Sequence, residues 1–201
     1  NLLGAEQSGF IADIGFETYQ KILAEAIAEL RAEGLDCPSL EAGAEAVGGR
    51  AGYVDDAHID IEVEAGLPDT YVSQQAERLK LYRELDSTRD EEALTAFAAR
   101  LEDRFGPLPK AARELLDVVR LRWEAIRLGM ERVKVKNGLM IVHFVGEENS
   151  PFYKTDTFME LLRRVTQHPD RFVLKQHNNR LAMTVRKIAD IEQAYKTLRE
   201  L

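Results

Sequence analysis

The chain has 201 residues, of which 45% are hydrophobic and 31% charged, and its formal net charge is −8. That is an ordinary globular composition, long enough for one or two domains with a sizeable core. No apolar run reaches the ~18 residues that a membrane span needs, and a single cysteine, Cys37, excludes an internal disulfide framework or a multi-cysteine zinc site.

The lone thiol suits a reducing compartment, and the cytoplasm is the expected location. The chain opens on Asn1, so the lack of a signal peptide there carries little weight. Charge is unevenly spread. Residues 1–105 hold 9 Lys and Arg against 23 Asp and Glu, whereas residues 106–201 hold 18 against 12. The acidic first half argues against DNA wrapping around it and favours a basic partner, or a basic surface on the same polypeptide.

Phe16, Tyr19, Leu23, Ile27 and Leu30 recur at helical steps among good helix formers, which predicts an amphipathic helix stopped by Gly34. From Ser39 to Gly52 periodicity disappears, and Gly48-Gly49 marks a flexible linker. Alternation of Ile59, Ile61 and Val63 with acidic residues predicts a half-buried strand. Two helices follow, one marked by Leu79, Tyr82 and Leu85, the other by Leu94, Phe97, Leu101 and Phe105. Thr88 with Glu91 reads as a capping box for the second. Gly106-Pro107-Leu108-Pro109 breaks the chain. A third helix then presents Ala112, Leu115, Val119, Trp123 and Ile126 inward and ends before Gly129.

The rest changes character. Val133 and Val135 alternate with Lys134 and Lys136, then Asn137-Gly138 precedes an apolar run, a strong hairpin signal because both turn positions need φ > 0. A helix through Phe158, Leu161, Leu162 and Val165 follows. A second hairpin places Phe172 to Leu174 opposite Leu181 to Val185, with His177-Asn178-Asn179 as its turn. Ile188, Ile191, Tyr195 and Leu198 mark the last helix. The expected fold is α+β: a helical arm, then a compact body in which helices cover one face of an antiparallel sheet of β-hairpins. Residues 1–35 form the arm, 36–57 the linker and 58–201 the body.

Few residues suggest chemistry. His58, His143, His168 and His177 show no metal-ligand spacing. Cys37 sits beside a proline in a segment that supplies neither a base nor an oxyanion site. Adjacent acidic pairs such as Asp55-Asp56, Glu102-Asp103 and Glu147-Glu148 point apart on a helix and make no acid/base dyad by spacing alone. No phosphate-cradling glycine motif is present, so neither a catalytic group, nor a metal, nor a cofactor is expected in this chain. A second reading is a nucleic-acid-binding module in which Lys134, Lys136, Arg163, Arg164, Arg171 and Lys175 line one face.

Two segments are more specific than any periodicity. Asn1-Leu2-Leu3-Gly4-Ala5-Glu6-Gln7-Ser8-Gly9 resembles the end of the translocation motif of the bacterial transcription-repair coupling factors, and Gly15-Phe16-Glu17-Thr18-Tyr19 is similar to the start of that family's hook helix. Leu101-Glu102-Asp103-Arg104-Phe105-Gly106-Pro107-Leu108-Pro109 resembles a second family signature, and the order of elements fits over the whole chain. The resemblance implies a parent protein that recognises RNA polymerase stalled at a DNA lesion. Its motor, fed by ATP and Mg, translocates on DNA and dislodges the polymerase, and a UvrB-like module then recruits UvrA.

This chain corresponds to the tail of the motor, a linker and the carboxyl-terminal domain, which is not itself catalytic. In the family that domain docks on the UvrB-like module and hides the UvrA-binding surface. By the same resemblance Gln7 couples ATP hydrolysis to movement. The acidic helix from Asp90 to Arg104 is the expected docking face, with Glu102 and Asp103 meeting arginines of the UvrB-like module. Arg100 lies one turn before Asp103. In relatives that position can be acidic, so the basic residue alters the pairing in detail.

Overall fold

A computed structural model describes residues 53, 54, 56–146, 149–178 and 180–201, with His177 described by its backbone alone. The expected arm of residues 1–35, Gln7, Cys37, the Asp55 and Glu147-Glu148 members of the acidic pairs and most of the linker lie outside the described residues. The chain divides into two compact units: one holds Glu64–Leu116, the other the segment up to Val63 together with Asp117–Leu201.

The first unit is helical: α1 spans Gln75–Ser87, α2 spans Glu91–Phe105, and α3, Lys110–Arg127, contributes its first turns. Its core is Leu81, Tyr82, Leu85, Leu94, Phe97, Leu101, Ala112 and Leu115, each at most 5% exposed. Leu79, expected inside, is half-buried, and Leu81 and Arg78 are buried in its stead. The buried Arg78 guanidinium donates from one terminal nitrogen to the Val72 carbonyl at 2.5 Å, while its Nε is buried without a hydrogen-bond partner. The segment before α1 is held down by two further bonds: Leu67 N–H donates to the Tyr82 hydroxyl at 2.9 Å and Gly66 N–H to the Ala111 carbonyl at 3.1 Å.

The expected capping box is replaced by another cap. Asp90, in extended backbone, accepts a hydrogen bond from Ala93 N–H at 2.7 Å and starts α2. Thr88 closes the helix before it, donating its hydroxyl to the Glu84 carbonyl at 2.9 Å. A carboxylate at the N-cap satisfies a free N–H and also favours the positive end of the helix dipole.

The second unit is a five-stranded sheet with helices. Its strands are β1, His58–Ile61; β2, Met130–Lys136; β3, Leu139–Phe144; β4, Phe172–His177; and β5, Arg180–Arg186, in the order β1-β2-β3-β5-β4. β1 joins β2 in parallel, and every other pair is antiparallel. The α+β class is as the sequence implies. At the β2–β3 turn Asn137 and Gly138 both have positive φ, +52° and +73°, as the dipeptide implies. In the β4–β5 hairpin His177 is a strand residue paired with Arg180, so the turn is shorter than expected and begins at Asn178, φ +49°.

The strand expected to run through Val63 stops at Ile61, and Val63 is 40% exposed. Just past the strand end the Glu62 carboxylate accepts a hydrogen bond from the Asn137 N–H at 3.0 Å. One sheet face is sealed. Val133, Val142 and Met183 lie side by side by register, as do Met140 and Val185, and none of the five is exposed.

Helices α4, Asp156–Gln167, and α5, Ile191–Glu200, belong to this unit with the later turns of α3. Phe144 of the sealed face meets the Phe158 ring of α4 edge-on, centroids 6.1 Å apart. Arg127 of α3 donates to the Leu198 carbonyl of α5 at 3.1 Å. In α3 the expected inner residues Trp123 and Ile126 are half-buried, while Leu121 and Ala125, with Leu128 just past the helix end, are fully buried. The helix serves two cores, so its apolar stripe does not keep one line.

Candidate docking face on the acidic helix

Helix α2 buries Leu94, Phe97 and Leu101 on one side. With 3.6 residues per turn, Glu92, Ala96, Ala99 and Asp103 fall on the opposite side, and all four are exposed. Glu92 and Asp103 stand about 16 Å apart along the helix axis, with small alanines between them. Asp103 makes no ion pair with any described residue, nor does Glu102.

Glu102 is exposed as well, but it sits on a flank of the helix rather than its crest. Its backbone carbonyl accepts the Gly106 N–H at 2.9 Å, which ends the helix. Tyr71 lies nearby, its hydroxyl donating to the Gly106 carbonyl at 2.7 Å. Burial, and then the negative charge of Glu102, push the Tyr71 phenol above its ordinary range. The Tyr71 ring packs on Phe105 at 5.7 Å between centroids.

Arg100 and Arg104 leave the crest for the other flank. Arg100 forms an ion pair with Glu84 of α1, and Arg104 pairs with Glu77 of α1 at 2.7 Å. These contacts join two helices of one unit and direct both guanidinium groups away from Asp103. The Arg100–Glu84 pair is itself about half exposed, and neither Glu102 nor Asp103 pairs with a described residue, so all three expected docking residues lie on the surface of α2. The sequence marked the charges but not the α1–α2 pairings, which join residues 16 and 27 positions apart.

The six basic residues of the second reading do not line one face. Lys134, Lys136 and Lys175 share the open side of the sheet. Arg163 and Arg164 lie on α4, where both bond to Glu160, and together they hold its carboxyl down to about 2. Arg171 donates to the Thr197 hydroxyl of α5 at 2.9 Å. Alternation and helical spacing decide these placements, and charge counting alone could not separate them.

His143 is exposed on β3, and His168 caps the end of α4 through its backbone. Among the described residues no group of three or more His, Cys, Asp or Glu is placed to hold a metal ion, and no helix is long and apolar enough to cross a membrane.

Comparisons with known proteins return the same α+β fold. Residues 61–155 match the family model of the TRCF domain. A solved structure described as the C-terminal domain of transcription-repair coupling factor shares the fold, with TM-score 0.55 and 16% identity over 72% of this chain and 92% of that one.

Two curated relatives agree. The transcription-repair-coupling factor of Staphylococcus aureus (strain USA300) is 29% identical over 143 residues, 71% of this chain, and that of Staphylococcus epidermidis is 31% identical over 139 residues, 68% of this chain. The chain thus carries the TRCF domain of the transcription-repair coupling factors, as the resemblance in its sequence implies. It spans only 11% and 10% of the length of these two relatives.

Proposed function

We propose that this chain is a regulatory, non-catalytic region of an ATP-dependent DNA translocase that couples transcription to nucleotide excision repair. It docks on the UvrB-like module of the same polypeptide and masks the surface that recruits UvrA. The observation that carries this reading is Asp103, exposed on the crest of α2 inside the matched segment and without an ion pair to any described residue. A tether raises the effective concentration of such a face to about millimolar, so a weak charged contact suffices to close the protein and remains weak enough to open. DNA, RNA polymerase, ATP and Mg are engaged through the parent, and Gln7 acts only with the motor present. The setting is the cytoplasm.

Charge reversal tests the face. Asp103→Lys should weaken binding to the isolated UvrB-like module by about tenfold or more, with an unchanged unfolding midpoint because the side chain is exposed and unpaired. Arg100→Ala should leave that binding as it is, since Arg100 faces Glu84. Unchanged docking of the Asp103→Lys chain would sink the assignment.

A further inference from the structure

The sheet has a second face, and the helices of its unit do not seal it. Register places Arg132, His143, Ala182 and Lys175 in one row across β2, β3, β5 and β4, and Lys134, Ile141, Thr184 and Val173 in the next. Ile141, Val173 and Ala182 are half-buried, as is Leu139 beside them, so an apolar strip runs over the central strands. Cations flank it on both sides. Arg132, Lys134 and Lys136 follow one another along β2 at about 6.7 Å steps, and Lys175 stands on β4.

Among the described residues, Asp60 of β1 shares this face by register, and Glu62 follows just past that strand. Asp60 lies 4.0 Å from Lys134 and Glu62 lies 3.9 Å from Lys136, all four side chains about half exposed. Exposed pairs of this kind contribute little and are readily exchanged for another carboxylate. Arg132 and Lys175 make no ion pair with any described residue. The face therefore carries a surplus of positive charge around an apolar centre.

We propose that this face takes an acidic amphipathic polypeptide segment, whose apolar side covers Leu139, Ile141 and Val173 and whose carboxylates meet Arg132 and Lys175. An apolar centre with a charged rim is the anatomy of a protein interface. Nucleic acid fits less well. Among the described residues no Phe, Tyr or Trp occupies a strand position on this face, so bases find no stacking platform there. The surface is distinct from α2, and the proposal stands apart from the masking role.

Fluorescence anisotropy of the full chain tests it. The probe is a labelled amphipathic peptide with a leucine stripe and glutamate elsewhere. Its controls are the same peptide with lysine for glutamate, and labelled single-stranded and duplex DNA. The acidic peptide should bind at low salt and weaken as salt rises. An Arg132→Glu, Lys175→Glu double variant should lose about tenfold or more, as should Ile141→Asp. Unfolding midpoints identify any variant that fails through folding, and the charge variant is exposed enough to avoid that. Asp103→Lys should keep the peptide, which separates this surface from the docking face. Absence of binding at low salt, equal binding of the lysine peptide, or tighter binding of DNA than of the acidic peptide would overturn the proposal.

Discussion

Gly129 has φ +64°, and a Cβ placed on it would lie 2.7 Å from the Phe152 ring. Two demands therefore fall on one position: left-handed backbone, which L side chains disfavour, and space that only hydrogen leaves. The Phe152 ring has little room to give. It stacks on Phe144 at 6.4 Å and meets Phe158 at 5.4 Å. Gly129→Ala should lower stability by roughly 2–4 kcal/mol, measured as the shift in denaturant midpoint. A shift within a few tenths of a kcal/mol would mean the ring moves freely. Glycine past the end of a helix was readable in the sequence. The ring against it was not, because Phe152 lies 23 positions away and no local pattern joins them. The residues of the proposed docking face divide the same way. Exposure of Glu102 and Asp103 follows from the spacing of Leu94, Phe97 and Leu101, whereas the engagement of Arg100 by Glu84 needs the packing of α1 on α2.

At the scale of elements, hydrophobic period and turn residues found the described helices and hairpins, because both signals are local. The parallel β1–β2 pairing was not readable. Its partners His58 and Arg132 are separated by three helices, and nothing in either stretch names the other. Ends were harder still. Thr88 and Asp90 lie two positions apart and both are capping residue types, so a pattern match alone chose the wrong one. The structure makes distinct predictions for them. Asp90→Ala removes the bond to Ala93 N–H and should cost about 1 kcal/mol of stability, with lower helicity by circular dichroism. Thr88→Ala leaves that cap in place, so α2 should keep its start. If Asp90→Ala proves neutral while Thr88→Ala frays α2, the capping box is correct after all.

For the whole molecule the uneven charge is the organising fact. Acidic side chains dominate residues 1–105, and the unit holding Glu64–Leu116 presents α2 with Asp103 on its crest, unpaired among the described residues. Basic side chains prevail later in the chain, yet they are spread over several elements, among them α3, the open sheet face and helix α4, where Glu160 engages two of them. A large apolar seal would hold a regulatory domain shut permanently. A charged face at high effective concentration can close and still release. Such a contact must respond to ionic strength, since exposed charges are screened within about 10 Å at 0.1 M salt. The decisive measurement is calorimetric titration of this chain against the isolated UvrB-like module at two salt concentrations. Binding should appear at the lower concentration and weaken at the higher. Binding that ignores salt, or none at either concentration, would contradict a docking role for the acidic helix.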